Sequence, residues 1–288
     1  MTMMRRVLFI LIFVWVTASG AHAQRPLGTP IDNELYCGGI VTSDPVPTDT
    51  YIISGEDSNG RITYTDGRLV FLNKGASQGV KVGDEFEVIR ATPVDNLQYE
   101  WFKSQKQLLK AMGTTYEDEA RVRVVNVQPN VSTAEVVFSC GYVQRADIVR
   151  RFAPRPAPMI KSEEGFDIFA PPSGRPKAMI VTTRYFGQVA AQGTVVYVNL
   201  GSAQGVKIGD YFRVFRFQGN SSETVYQTPH IAYYIFGFGS TPSPYSGAEL
   251  PRQVLGEGVV MRVAKNAATV LITVGKRQMY PGDYVELE

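Results

Sequence analysis

The sequence predicts an all-β protein made of two tandem small β-barrel modules, with one short helix inserted in the first. Three observations carry this expectation. A 24-residue segment occurs twice, short apolar runs alternate with turn residues along most of the chain, and 27 Gly and 17 Pro in 288 residues punctuate those runs. With 44% apolar residues and 11% aromatics the chain has enough material for a buried core, which excludes global disorder.

The duplication is read directly. Residues 67–90 (GRLVFLNKGASQGVKVGDEFEVIR) align without a gap on residues 193–216 (GTVVYVNLGSAQGVKIGDYFRVFR), and 13 of 24 positions are identical. Unrelated segments of ordinary composition would share about one or two, so the unit has been copied. Leu69–Leu72 and Val195–Val198 are continuous apolar runs, the pattern of strands buried on both faces. Gly75, Gly79 and Gly83 match Gly201, Gly205 and Gly209, where glycine serves tight turns. Asp84 and Asp210 follow, then Phe86/Val88 and Phe212/Val214 alternate with polar neighbours as half-buried strands do.

The remaining elements follow in order. Arg5 and Arg6, the apolar run Val7–Val16 and Ala21-His22-Ala23 form a signal peptide over residues 1–23, too short a run for a transmembrane span. Residues 24–35 are expected as an extended tail and 36–152 as the first module. Within it, Asp95 or Asn96 is expected to cap a helix over Glu100–Met112 that ends at Gly113 and packs through Trp101, Phe102, Gln105, Leu108, Leu109 and Met112. Strand patterns follow at Arg121–Val127 and Ala134–Phe138, with Gln128-Pro129-Asn130 as the turn. Alternating prolines mark 153–162 as a stiff linker, and 163–288 is the second module. That module carries further strands at Gly258–Val263 and Thr269–Ile272. The two copies close alike, at Asp147-Ile148-Val149 and Asp283-Tyr284-Val285.

The repeated string Gly-x-x-x-Gly-Val-Lys-x-Gly-Asp-x-Phe-x-Val-x-Arg, from Gly75 to Arg90 and again from Gly201 to Arg216, resembles the C-terminal domain of the flagellar assembly protein T family. The resemblance implies SH3-like β-barrels in a periplasmic protein of structural role. It implies no catalytic residues. The tandem arrangement departs from that family, and its other domains have no counterpart here.

Composition narrows the function. Loss of residues 1–23 removes Arg5 and Arg6 and no acid, leaving 27 Lys+Arg against 27 Asp+Glu. A neutral chain has no general attraction for phosphate backbones, so nucleic acid is not an expected partner. His230 would be the one histidine left, which excludes multi-histidine metal centres. No cofactor and no metal are expected. Cys37 and Cys140, an even pair in an exported chain, are expected to form a disulfide, two separate buried thiols being the alternative.

The Gly-Val-Lys-x-Gly-Asp strings lead into strands and lack phosphate-loop spacing. Asp84 and Asp210 are expected to bond their own turns. Glu117-Asp118-Glu119 reads as a solvated lead-in to a strand, because contiguous carboxylates converge poorly on one ion. His230 lacks a visible nucleophile partner. The best binding candidate is an aromatic-rich loop: Tyr226, Tyr233, Tyr234, Phe236, Phe238 and Tyr245. The expected function is non-enzymatic: a binding or scaffolding role in the envelope, in the periplasm, toward other envelope proteins. The alternative is peptidoglycan or another polysaccharide held by the loop 226–245.

Overall fold

The computed structural model describes residues 28–94, 100–217 and 251–288. The first part of the chain contains α1 (Asp32–Tyr36), β1 (Ile40–Thr42), β2 (Ile52–Gly55), β3 (Thr63–Tyr64), β4 (Leu69–Leu72), β5 (Glu85–Thr92), α2 (Gln105–Met112), β6 (Thr114–Val127), β7 (Ser132–Ser139), β8 (Val143–Gln144) and β9 (Ile148–Arg151). The second contains β10 (Lys177–Thr183), β11 (Val195–Val198), β12 (Tyr211–Arg216), β13 (Gln253–Val263), β14 (Ala268–Gly275) and β15 (Tyr284–Leu287). The protein is all-β, as the turn-punctuated apolar runs require.

The two halves repeat one topology. In the first, the sheet order is β2-β4-β7-β6-β5-β9, with β1 added against the start of β6. In the second it is β10-β11-β14-β13-β12-β15, and β15 pairs back with β10 to close a six-stranded barrel. All these pairings are antiparallel. The first half is drawn shut by a single bridge, Tyr51 opposite Ile148, and by the N–H of Ile52 donating to the Asp147 carbonyl at 2.9 Å. Even the bulges recur: the ladder slips at Ile53 in β2 and at Val181 in β10, and again at Val125 in β6 and Met261 in β13. Such slips bend a strand round the corner of a small barrel.

Inward-facing side chains fill each half. Ile52, Val70, Leu72, Phe86, Val88, Val122, Val136 and Val149 pack the first. Ile180, Val196, Val198, Phe212, Val214, Val260, Val270 and Val285 pack the second. A third buried cluster belongs to neither half alone. It joins Leu35, Val41, Phe102, Leu109 and Met112 of the first to Val181, Val195, Tyr197, Val259, Met261 and Leu271 of the second. The halves therefore share a buried seam.

That seam corrects several expectations. Part of the expected extended tail 24–35 is not extended: Asp32–Tyr36 is a helical turn, and Leu35 is buried in the seam. The proline-rich segment 153–162 has no regular secondary structure, but it is not a free spacer. Arg155 is drawn into the seam, the Ile160 N–H donates to the Gly28 carbonyl at 3.0 Å, and the Tyr211 O–H donates to the Met159 carbonyl at 2.8 Å. The apolar run of β11 is buried on both faces as expected, whereas in β4 only Val70 and Leu72 are fully buried, and Leu69 and Phe71 on the other side are half-buried.

The inserted helix is shorter than expected. It starts at Gln105, after Ser104 at φ 74°, and stops at Gly113. Gly113 has φ 119°, and a Cβ there would lie 2.1 Å from the Thr42 carbonyl oxygen, so no other residue ends the helix against β1. Asp95 and Asn96 lie outside the described residues. Phe102, Gln105, Leu109 and Met112 are buried, and Trp101 and Leu108 pack beside them in the seam.

Candidate functional site

The duplicated motif is the first candidate, and its polar groups turn inward on the barrel. The Gly75 N–H donates to Oε1 of Gln78 at 2.9 Å, and the Gly201 N–H to Oε1 of Gln204 at 2.9 Å. A Cβ on Gly75 would fall 2.1 Å from the Gln128 carbonyl oxygen, and one on Gly201 2.2 Å from that of Ala264. Gly79 and Gly205 close the short turns at φ 82° and 84°. The N–H groups of Gly83 and Gly209 donate across the barrel to the carbonyls of Val124 and Val260.

Oδ2 of Asp84 accepts from the Lys81 N–H at 3.0 Å, and Oδ2 of Asp210 from the Lys207 N–H at 2.8 Å. The closing arginine of each copy grips the last turn of its own barrel. Arg90 makes two bonds to Asp147, each 2.8 Å, and Arg216 two to Asp283, each 2.6 Å. Asp147 and Asp283 in turn accept from the Gln144 and Tyr280 N–H groups. A planar guanidinium held by both carboxylate oxygens fixes geometry as well as charge. The strings Gly75–Arg90 and Gly201–Arg216 thus hold the fold at equivalent points.

The second candidate is the charged centre of the seam, which reading the sequence missed. Glu117, Asp118 and Glu119 are not a solvated lead-in. All three are buried in β6. Asp118 accepts the Gly39 N–H at 2.8 Å, two bonds from Arg155 at 2.9 and 3.0 Å, and Arg262 Nη1 at 3.1 Å. Burial opposes its charge, yet Arg262 and Arg155 hold its carboxyl below the usual carboxylate range. Arg155 also pairs with Glu87 at 2.6 Å. Arg262 and Thr269 both donate to the Gly39 carbonyl, and the Tyr197 O–H donates to that of Gly38 at 3.0 Å. Arg155 from the linker, Asp118 from the first barrel and Arg262 from the second therefore meet at one buried point.

Glu117 and Glu119 fare differently. Burial pushes Glu117 up to about 7, because its Arg184 partner is 3.7 Å away and Oε2 has no hydrogen bond. Burial likewise lifts Glu119 to about 7, although Arg90 Nη1 lies at 2.9 Å, since that arginine already serves Asp147. The adjoining loop carries strain: Tyr185 and Phe186 stand at φ 60° and 54°, costly for aromatic residues.

Cys37 and Cys140 are bridged, with Cα atoms 5.3 Å apart, tying the end of α1 to the end of β7 across 103 residues of chain. This pins the short helix that lines the seam. Among the described residues no three His, Cys, Asp or Glu side chains are grouped to hold a metal ion, and no helix is long and apolar enough to cross a membrane. Tyr226, Tyr233, Tyr234, Phe236, Phe238, Tyr245 and His230 lie outside the described residues.

No protein-family model matches this sequence, and no curated protein matches it.

Proposed function

We propose that the chain is a non-enzymatic component of the bacterial cell envelope, working in the periplasm as a binding or scaffolding block. The observation that carries this reading is the use to which the duplicated motif is put. Gln78, Asp84 and Arg90, and Gln204, Asp210 and Arg216, bond their own barrels, in the same way twice. What was copied is a mechanical unit. The shared seam then joins the two units into one body whose outer faces stand in fixed relation. A partner touching both barrels loses no freedom in ordering them, which lowers the cost of binding. The disulfide suits an oxidising compartment. The flagellar side of the resemblance is the narrower form of this proposal and rests on the repeated string alone.

Crosslinking of the full chain in cells, followed by identification of what is joined to it, tests the reading. A reproducible envelope protein is the expected outcome. Turnover of a generic peptide or glycoside substrate by the purified chain would overturn it. Retention on protein-free sacculi would move the reading to peptidoglycan. Loss of swimming in a deletion strain would support the flagellar form.

A further inference from the structure

The two barrels bear an equivalent outer face, and among the described residues only the second barrel's is covered. Matching registers pair Ile53 with Val181, Phe71 with Tyr197, Thr133 with Thr269 and Val125 with Met261. In the second barrel these residues form a row across β10, β11, β14 and β13, and all four are at most 1% exposed. What covers the row is the first barrel's own apparatus: α2 through Leu109 and Met112, its lead-in Phe102, and Val41 of β1. Gln105 at the start of α2 donates to the Val181 carbonyl at 2.7 Å, at the bulge in β10.

In the first barrel the same row, Ile53-Phe71-Thr133-Val125, runs across β2, β4, β7 and β6. Ile53 is 37% exposed and Val125 41%, while Tyr51 beside them is 42% exposed and Phe71 is half-buried. Among the described residues nothing packs over it. The same bulge recurs at Ile53. One difference shapes what the row would take. Val259 and Leu271, which flank the covered row, are replaced by Arg123 and Glu135, a cross-strand pair. An apolar stripe edged by charge suits a reversible contact more than a permanent one.

We infer that the outer face of β2-β4-β7-β6 is a docking site for a short amphipathic helix of a partner protein, one presenting large apolar side chains as α2 does. The argument for this occupant is internal. The face at the equivalent register, with a bulge at the equivalent place, is already filled by such a helix in the other half of the chain. A second copy of the chain is a poorer fit, because its α2 is buried in its own seam. This inference deepens the scaffolding proposal and rests on it, by naming where one partner attaches.

The test uses the full chain and a defined probe: a helix-stapled synthetic peptide with the sequence of residues 100–113. Saturable binding is expected by fluorescence anisotropy, weakened at least tenfold by Val125→Glu or Ile53→Glu. Both positions are exposed enough for the variants to fold, which their melting curves verify. Ile208→Ser, on an exposed apolar residue of the second barrel, is expected to leave binding unchanged. Absence of saturable binding, or equal binding to Val125→Glu, overturns the inference. So does concentration-dependent self-association by sedimentation that Val125→Glu abolishes, which would make a second copy the occupant. Failure here leaves the in-cell crosslinking result intact, so the site and the scaffolding proposal fall separately.

Discussion

The two barrels share a topology and part company at the residues that point outward. Where β6 carries Glu117-Asp118-Glu119, the equivalent stretch of β13 is Gln253-Val254-Leu255. Where β5 and β9 face each other as Glu87 and Arg150, β12 and β15 present Arg213 and Glu286, the same cross-strand pair with its signs exchanged. By contrast Gly75/Gly201, Asp84/Asp210 and the pairs Arg90–Asp147 and Arg216–Asp283 are unchanged in place and partner. The difference separates two kinds of constraint. Residues that serve the barrel's own backbone have one geometric solution and were kept. Residues of the first copy that face the second had instead to match it, as Glu117 and Asp118 meet Arg184 and Arg262, and these diverged from their counterparts.

The sharpest way to break this comparison is at the kept positions. Gly75→Ala and Gly201→Ala each force a methyl within 2.2 Å of a backbone carbonyl oxygen. Each is expected to cost roughly 4 kcal/mol or more, because backbone must move on both sides of the turn. Chemical denaturation of the two variants measures it. If one copy tolerates alanine and the other does not, the two turns are not mechanically equivalent.

Asp118→Asn addresses the diverged set. It removes the one carboxylate that Arg262 and Arg155 share, leaving two buried guanidiniums around a neutral amide. Breaking a buried pair by removing one partner costs about 3–5 kcal/mol. The loss falls at the seam and not within either barrel, so calorimetry is expected to show one transition in the native chain and two in the variant. A single, merely lower transition would mean that the apolar seam alone couples the halves.

Much of the fold was legible and most of the seam was not, for physical reasons. The copied string, its turns and its strands announce themselves because they obey local rules: apolar runs, glycine spacing and alternation. Even the double-sided burial of Val195–Val198 could be read. But Leu69–Leu72 carries the same signal and is covered on one side only, since the string does not record whether a neighbour lies above it. Glu117-Asp118-Glu119 looked solvated because contiguous acids usually are. Their counterparts Arg184, Arg155, Arg262 and Arg90 lie from 29 to 144 residues away along the chain, and no local pattern announces them. Arg155 was hidden further by the prolines around it, which read as a stiff linker and give no sign that one of its side chains is drawn into the seam.

A smaller effect follows from Glu117. Its carboxyl sits at about 7 in the folded chain against an ordinary value of 4.5. Between those values the folded state keeps a proton that the unfolded state has lost, so stability falls as pH rises through this window and levels off above it. The drop is on the order of 3 kcal/mol. Glu119 acts in the same direction over the same range, while Asp118, held low, loses its stabilising contribution only in acid. Glu117→Gln makes the first barrel resemble the second, where Gln253 stands. It is expected to gain stability relative to the native chain at pH 8 and to change little at pH 5. Parallel denaturation curves at the two values check this, and a uniform offset at both would show that the titration of Glu117 contributes nothing.

The smallest effect is predicted at exposed positions where the copies agree. Val82 and Ile208 occupy the same place in the two Gly-Val-Lys-x-Gly-Asp turns, 66% and 42% exposed. Neither belongs to a buried cluster, so Val82→Ser and Ile208→Ser are expected to shift stability by about 0.5 kcal/mol or less. That neutrality makes them informative. Neither side chain is part of a buried core. A variant that melts normally but loses a crosslinked envelope partner would transfer the binding role from the sheet face to the turns. If both variants also keep their partners, the turns are left with folding as their function, and the uncovered face of the first barrel remains the place to look.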